Sequence, residues 1–307
     1  MPKINISKSL HINAKPADVF SKINDYHHWE TWSPWLIMEE GVKLDIQPDG
    51  KAYSWVGKRT GEGKMKVTNE KQDESLEMDL NFIKPFKSFA KVGFTVKPDG
   101  EGTNVTWTMD SSLPFFLFFM KKMMVAGVGM DYERGLKMLK DLAEDGEVHS
   151  KLEEKGASTY PGCKYVGVKG ACSIKGMKND MQSKMGQLMA FSEENKMNTT
   201  GQVFTIYHKW DMITGQVEYT SAVAVSEAPA NLSGGLFAGS IPETKVQSVK
   251  HTGTYDHLGN PWSMLYMMQR GKEFKIDKKV DPFEVYVNSP QDTAPNDLIT
   301  EVYFPVK

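Results

Sequence analysis

Hydrophobic and polar residues alternate with a period of two over three stretches in the first half of the chain. Leu76, Met78, Leu80 and Phe82 share one face of Ser75–Ile83. Ala90, Val92, Phe94 and Val96 do so in Phe89–Val96, and Val105, Trp107 and Met109 in Asn104–Met109. This alternation predicts strands with one buried face, and Pro48-Asp49-Gly50 and Pro98-Asp99-Gly100 supply turns around them. Ahead of them the pattern predicts a strand over Lys3–Ile12 and a helix opening at Lys15-Pro16-Ala17-Asp18-Val19-Phe20. Pro16 falls in that helix's first turn, and Asp18 complements its dipole. Tyr26, Trp29, Trp32 and Trp35 form an aromatic segment closed by Ser33-Pro34. A helical run from about Pro114 to Glu144 ends this half, with Tyr132, Leu136, Leu139 and Leu142 at helical spacing. A sheet and a long apolar helix must bury their faces against each other. Phe and Met then either line a cavity between the two or simply fill the core.

The second half repeats itself. Its first copy reads strand (Lys164–Lys169), helix (Lys178–Lys196), then Phe204-Thr205-Ile206-Tyr207 and a strand ending in Ala222-Val223-Ala224-Val225. The second copy reads strand (Thr244–His251), helix (Pro261–Phe274), then Phe283-Glu284-Val285-Tyr286 and a strand ending in Tyr303-Phe304-Pro305-Val306. The recurrence of FTIY as FEVY after a strand and a helix points to duplication. Two strand-helix-strand-strand units related by a pseudo-two-fold axis are expected to form one domain.

At 307 residues, the chain is expected to hold two domains at about 150 residues each. The boundaries read as 1–147 and 160–307, joined by a polar linker over 148–159. Charge is balanced, with 37 Lys and Arg against 39 Asp and Glu, and neither half carries a basic excess. Nucleic acid is therefore not an expected partner. Two cysteines, Cys163 and Cys172, make neither a disulfide framework nor a CxxC metal site. His27 and His28 lack metal-ligand spacing, so no metal and no cofactor are expected. The N-terminus has no signal-peptide apolar core. The most apolar stretch, Leu113–Met130, is interrupted by Lys121 and Lys122, so it reads as a buried helix rather than a membrane span. A membrane-surface helix is the less favoured alternative. The expected setting is cytoplasmic. The oligomeric state is left open.

KPADVFSKINDYHHWETWSPW near the start and DYERGLKMLKDLAE in the last helix of the first half resemble the START-like, or polyketide cyclase-like (SRPBCC), superfamily. The resemblance implies an α+β helix-grip fold, an antiparallel sheet wrapped on a long C-terminal helix, and binding of hydrophobic ligands. VKHTGTYDHLGNPWSMLY, DPFEVYVNSP and LITEVYFPV resemble the gyrase-inhibitor-like domain, the effector-binding module of AraC-type and multidrug-responsive regulators. In those regulators a helix-turn-helix domain precedes the module. A START-like domain stands there in this chain, which argues against a transcription factor.

Alternation places Ile299, Glu301, Tyr303 and Pro305 on one face of the terminal strand and Thr300, Val302, Phe304 and Val306 on the other. Glu301 thus has apolar and aromatic neighbours whichever face is buried; it either points to solvent or is a buried carboxylate, which is costly unless paired and is tolerated most readily at a functional site. The family resemblance implies that its ligand-contacting glutamate lies in this same TEVYFPV motif. Trp262, Tyr255, Tyr207, Tyr286 and Tyr303 are expected around Glu301, an arrangement suited to a flat hydrophobic or cationic small molecule. Glu218 is a second candidate carboxylate. Three functions are carried forward: binding or sequestering such molecules, hydrolysing strained cyclopropane-type electrophiles with Glu301 as general base and Tyr286 assisting, or a ligand-sensing adaptor.

Overall fold

The computed structural model describes residues 2–307, and the chain divides into two compact units, Met1–Ser150 and Lys151–Lys307. In the first, β1 (Lys3–Ile12), α1 (Pro16–Ile23) and the single turn α2 (Trp29–Trp32) precede six further strands. These are β2 (Lys43–Ile46), β3 (Ala52–Gly57), β4 (Gly61–Lys71), β5 (Ser75–Lys84), β6 (Ser88–Asp99) and β7 (Gly102–Ser112). The long helix α3 (Lys121–Glu144) follows. The seven strands form one antiparallel sheet in the order β1-β7-β6-β5-β4-β3-β2, and α3 packs along β1 and α1.

The three alternating runs of the sequence are β5, β6 and β7, with the predicted faces buried. β2 to β4 give a weaker signal, because β4 (GEGKMKVTNEK) buries only Gly63 and Met65 fully among charged neighbours. Tyr26, Trp29 and Trp32 are buried in the core with the sheet's inner face and α3. Trp107 lies between Phe94 and Tyr132, stacked on Tyr132 with ring centroids 4.0 Å apart.

One expectation fails here. Leu113–Met130 is not a single buried helix. Phe115–Met120 forms a 3-10 segment with no buried residue, and the first buried position of α3 is Gly129. Phe115 follows the last paired residue of β7, Ser112, so it lies past the end of the strands, where no sheet face covers it.

The second unit carries β8 (Ser150–Tyr160), β9 (Cys163–Ser173), α4 (Met177–Glu194), β10 (Thr199–Asp211), β11 (Gln216–Val225) and β12 (Leu236–Ile241). Then come β13 (Thr244–Gly253), α5 (Gly259–Arg270), β14 (Phe283–Tyr286) and β15 (Ile299–Pro305). The element order β-α-β-β occurs twice, as β9-α4-β10-β11 and β13-α5-β14-β15. All eight strands form one sheet in the order β12-β9-β11-β10-β14-β15-β13-β8. Residues 148–159, read as a linker, lie mostly within β8. That strand sits at the sheet edge with most of its side chains in solvent, and a polar composition is what an exposed edge strand and a linker have in common.

Candidate functional site

β14 is only four residues long, yet it lies at the middle of the second sheet, between β10 and β15. Its register sets Glu284 beside Thr205 on one side and Val302 on the other. Alternation then puts Tyr286, Tyr207 and Phe304 on the same face as Glu284. α5 covers that face: the Trp262 ring lies 5.4 Å from Phe304, and Tyr266 lies 4.9 Å from it.

Four of the expected residues meet here, though around a different carboxylate. Glu284 is 1% exposed and accepts three hydrogen bonds. The Tyr286 hydroxyl (2.7 Å) and the Tyr207 hydroxyl (2.8 Å) donate to Oε1, and Trp262 Nε1 donates to Oε2 at 2.7 Å. Tyr286 also lies 3.0 Å from Thr205 Oγ1. Tyr255, more than one-third exposed, packs against Tyr286 with centroids 5.6 Å apart, and Trp262 sits edge-on to Tyr207 at 4.8 Å. Tyr207 and Tyr219 continue the apolar wall toward Met177 and Met181 of α4.

Burial pushes the Glu284 carboxyl above its ordinary range, while the bonds from Trp262, Tyr286 and Tyr207 pull the other way. Burial, and then the neighbouring carboxylate, hold both tyrosine hydroxyls well above their usual range, so they remain donors. Among the described residues, Glu284 forms no ion pair with a lysine, arginine or histidine. A desolvated carboxylate held by three neutral aromatic donors can complement a positive charge, or exchange a proton with a bound molecule.

Glu301 and Tyr303 do not join this group. Glu301 pairs in register with Val285 and Lys250, and so occupies the opposite face from Glu284. There its carboxylate accepts from the Tyr303 hydroxyl, beside Tyr160 and Phe283. Sequence alternation separated the two faces correctly but gave no means of deciding which one a helix covers. Glu218 is exposed, with Lys209 Nζ at 3.5 Å. Glu284 was missed, although its signal was present: it lies two positions before Tyr286, on the face of that tyrosine. Among the described residues, no group of three or more His, Cys, Asp and Glu side chains is arranged to hold a metal ion.

Comparison with known families gives two matches. Residues 3–144 match the family described as polyketide cyclase/dehydrase and lipid transport. Residues 159–307 match the GyrI-like small molecule binding domain. No curated protein matches the chain. Among solved structures, protein MLL2253 from Mesorhizobium loti is 18% identical with a TM-score of 0.36, covering 45% of this chain and 95% of its own. The C-terminal domain of EcmrR is 20% identical with a TM-score of 0.40, covering 52% and 98%. SAV2435, solved bound to tetraphenylphosphonium, is 16% identical with a TM-score of 0.39, covering 50% and 94%.

Proposed function

From a chain that joins a polyketide cyclase/dehydrase and lipid transport domain to a GyrI-like small molecule binding domain, we propose that the second unit binds a cationic, aromatic-bearing organic molecule at Glu284. The carrying observation is that carboxylate, fully buried with three aromatic donors and no ionic partner among the described residues. Removing a charge from water is costly unless something compensates it. Here the compensation within the protein is three neutral donors, and a bound cation would complete it. The rings of Trp262, Tyr207, Tyr286 and Tyr255 offer π faces that attract the same charge. Trp262 and Tyr255 belong to α5 and the turn before it, so movement of that segment opens the carboxylate from one side while the strands hold it in place.

The test is equilibrium titration of the full chain with a cationic rhodamine dye and with an uncharged hydrophobic dye such as Nile red. Saturable binding of the cation, competed by other lipophilic cations and stronger than binding of the neutral dye, is the expected result. Equal affinity for the two overturns the charge reading, and no saturable binding of either overturns the site. The proton-holding tendency of Glu284 beside two tyrosine hydroxyls favours one second reading, general-base hydrolysis of a strained electrophile in the same pocket. In that case mass spectrometry detects a product one water heavier with the wild type and not with Glu284→Gln.

A further inference from the structure

The first unit presents an apolar surface that neither its core nor the Glu284 site uses. Phe115, Phe116, Phe118 and Phe119 are each between 60% and 77% exposed, and Phe86, in the turn between β5 and β6, is 77% exposed. Register brings the two segments together. Phe82 pairs with Ser88 across the β5–β6 turn, Ala90 with Ser111, and Lys3 with Ser112. That turn and the segment after β7 therefore project from the same end of the sheet. A cluster of exposed phenyl rings this dense is uncommon on a monomer surface and marks an interaction site.

Charge identifies the occupant. Within Ile83–Phe89 and Leu113–Met124 there is no acidic residue, while Lys84, Lys87, Lys121 and Lys122 alternate with the rings as KPFK and FFMKK. Lys84 is committed to Glu62 at 2.7 Å, whereas Lys87, Lys121 and Lys122 are exposed and make no ion pair among the described residues. Protein–protein interfaces are depleted of lysine at their apolar centre. Phenyl rings mixed with free lysines, on projecting turns rather than in a groove, suit a surface that is apolar within and anionic outside.

We infer that this end of the first unit seats on the surface of an anionic phospholipid bilayer, with the phenylalanine rings entering the interface and Lys87, Lys121 and Lys122 meeting the headgroups. No helix of the described residues is long and apolar enough to cross a membrane, so the contact is peripheral.

Co-sedimentation of the full chain with phosphatidylcholine vesicles, with and without phosphatidylserine, tests this. The wild type is expected to bind the phosphatidylserine vesicles more tightly, and added salt should weaken that binding. At about 1 kcal/mol per lysine near such a surface, Lys121→Gln with Lys122→Gln weakens it about 30-fold. Replacing Phe115, Phe116, Phe118 and Phe119 together by serine should abolish binding to both vesicle types. These side chains are exposed, so thermal unfolding of each variant should match the wild type; if the serine variant is unstable, the lysine pair and the salt dependence decide. A wild type that stays in the supernatant overturns the inference, as does a lysine variant that binds unchanged. A dimer that the serine substitutions dissolve, with no vesicle binding, overturns it in favour of a second copy of the chain.

Discussion

Glu284→Gln is the substitution that most directly tests the second unit. The two side chains have nearly the same shape, so the buried space stays filled. The hydrogen bonds can also be kept. If the amide oxygen faces Trp262 Nε1, the amide NH2 faces the Tyr207 and Tyr286 hydroxyls, which can rotate to accept, and Tyr286 can turn its own proton toward Thr205 Oγ1. Folding stability should therefore stay within about 1 kcal/mol of wild type, or rise, because a buried charge has gone. Binding should behave differently. A cation about 4 Å from the carboxylate gains roughly 4 kcal/mol at an effective dielectric constant near 20. Removing one partner of a buried charged pair typically costs about 2–5 kcal/mol. A loss of at least 30-fold in affinity for cationic rhodamine is expected, with Nile red binding changed much less. Glu301→Gln, on the opposite sheet face, should leave both within about twofold. Fluorescence titration of the three proteins gives the comparison. Cation affinity retained in Glu284→Gln, or lost equally in Glu301→Gln, would refute the reasoning.

Tyr207→Phe removes one donor from a fully buried carboxylate and should cost about 1.5–3 kcal/mol of stability; urea unfolding of the variant measures it. Because the folded pKa of Glu284 lies above its ordinary 4.5, the stability linked to this group is full below the unfolded value. It declines as pH rises through the folded one. The difference in melting temperature between wild type and Glu284→Gln should shrink or reverse in that direction, and a flat difference would contradict the assigned burial. Cation binding favours the carboxylate form, so calorimetry in buffers of different ionisation enthalpy should detect proton release in mild acid. In the first unit, Gly135→Ala places a Cβ 2.7 Å from Trp107 Cζ3 and 3.0 Å from Pro34 Cδ. The usual gain of about 1 kcal/mol for Gly to Ala in a helix should be outweighed, with a net loss of about 1–3 kcal/mol visible in thermal unfolding.

The sequence announced the fold where one face of an element is wet and the other dry. Leu76-Met78-Leu80 and Val105-Trp107-Met109 alternate cleanly because their strands line one side of the first core. β4 was harder to see, since its lysines and glycines blur that contrast. Leu113–Met120 misled for the opposite reason. Its composition is that of a core, but only its place beyond the end of the strands reveals that Phe115, Phe116, Phe118 and Phe119 are left uncovered, while Leu113 stays buried. The aromatics that gather around Glu284 were legible as a set, Trp262, Tyr207, Tyr286 and Tyr255. The carboxylate was not, because FEVY and TEVYFPV each place a glutamate among rings, and only long-range pairing tells which of the two faces the helices.

The bond from Trp262 to Glu284 carries a consequence for selectivity. The carboxylate already accepts three hydrogen bonds from its own protein, so any molecule that reaches it by displacing Trp262 first removes one. A neutral hydrophobe returns at best a single hydrogen bond and leaves the buried charge no better off than before. A cation returns a whole opposite charge. If the second unit binds a cation at Glu284 as proposed, the tryptophan would act as a threshold on charge, turning away neutral compounds that the surrounding rings alone would accept.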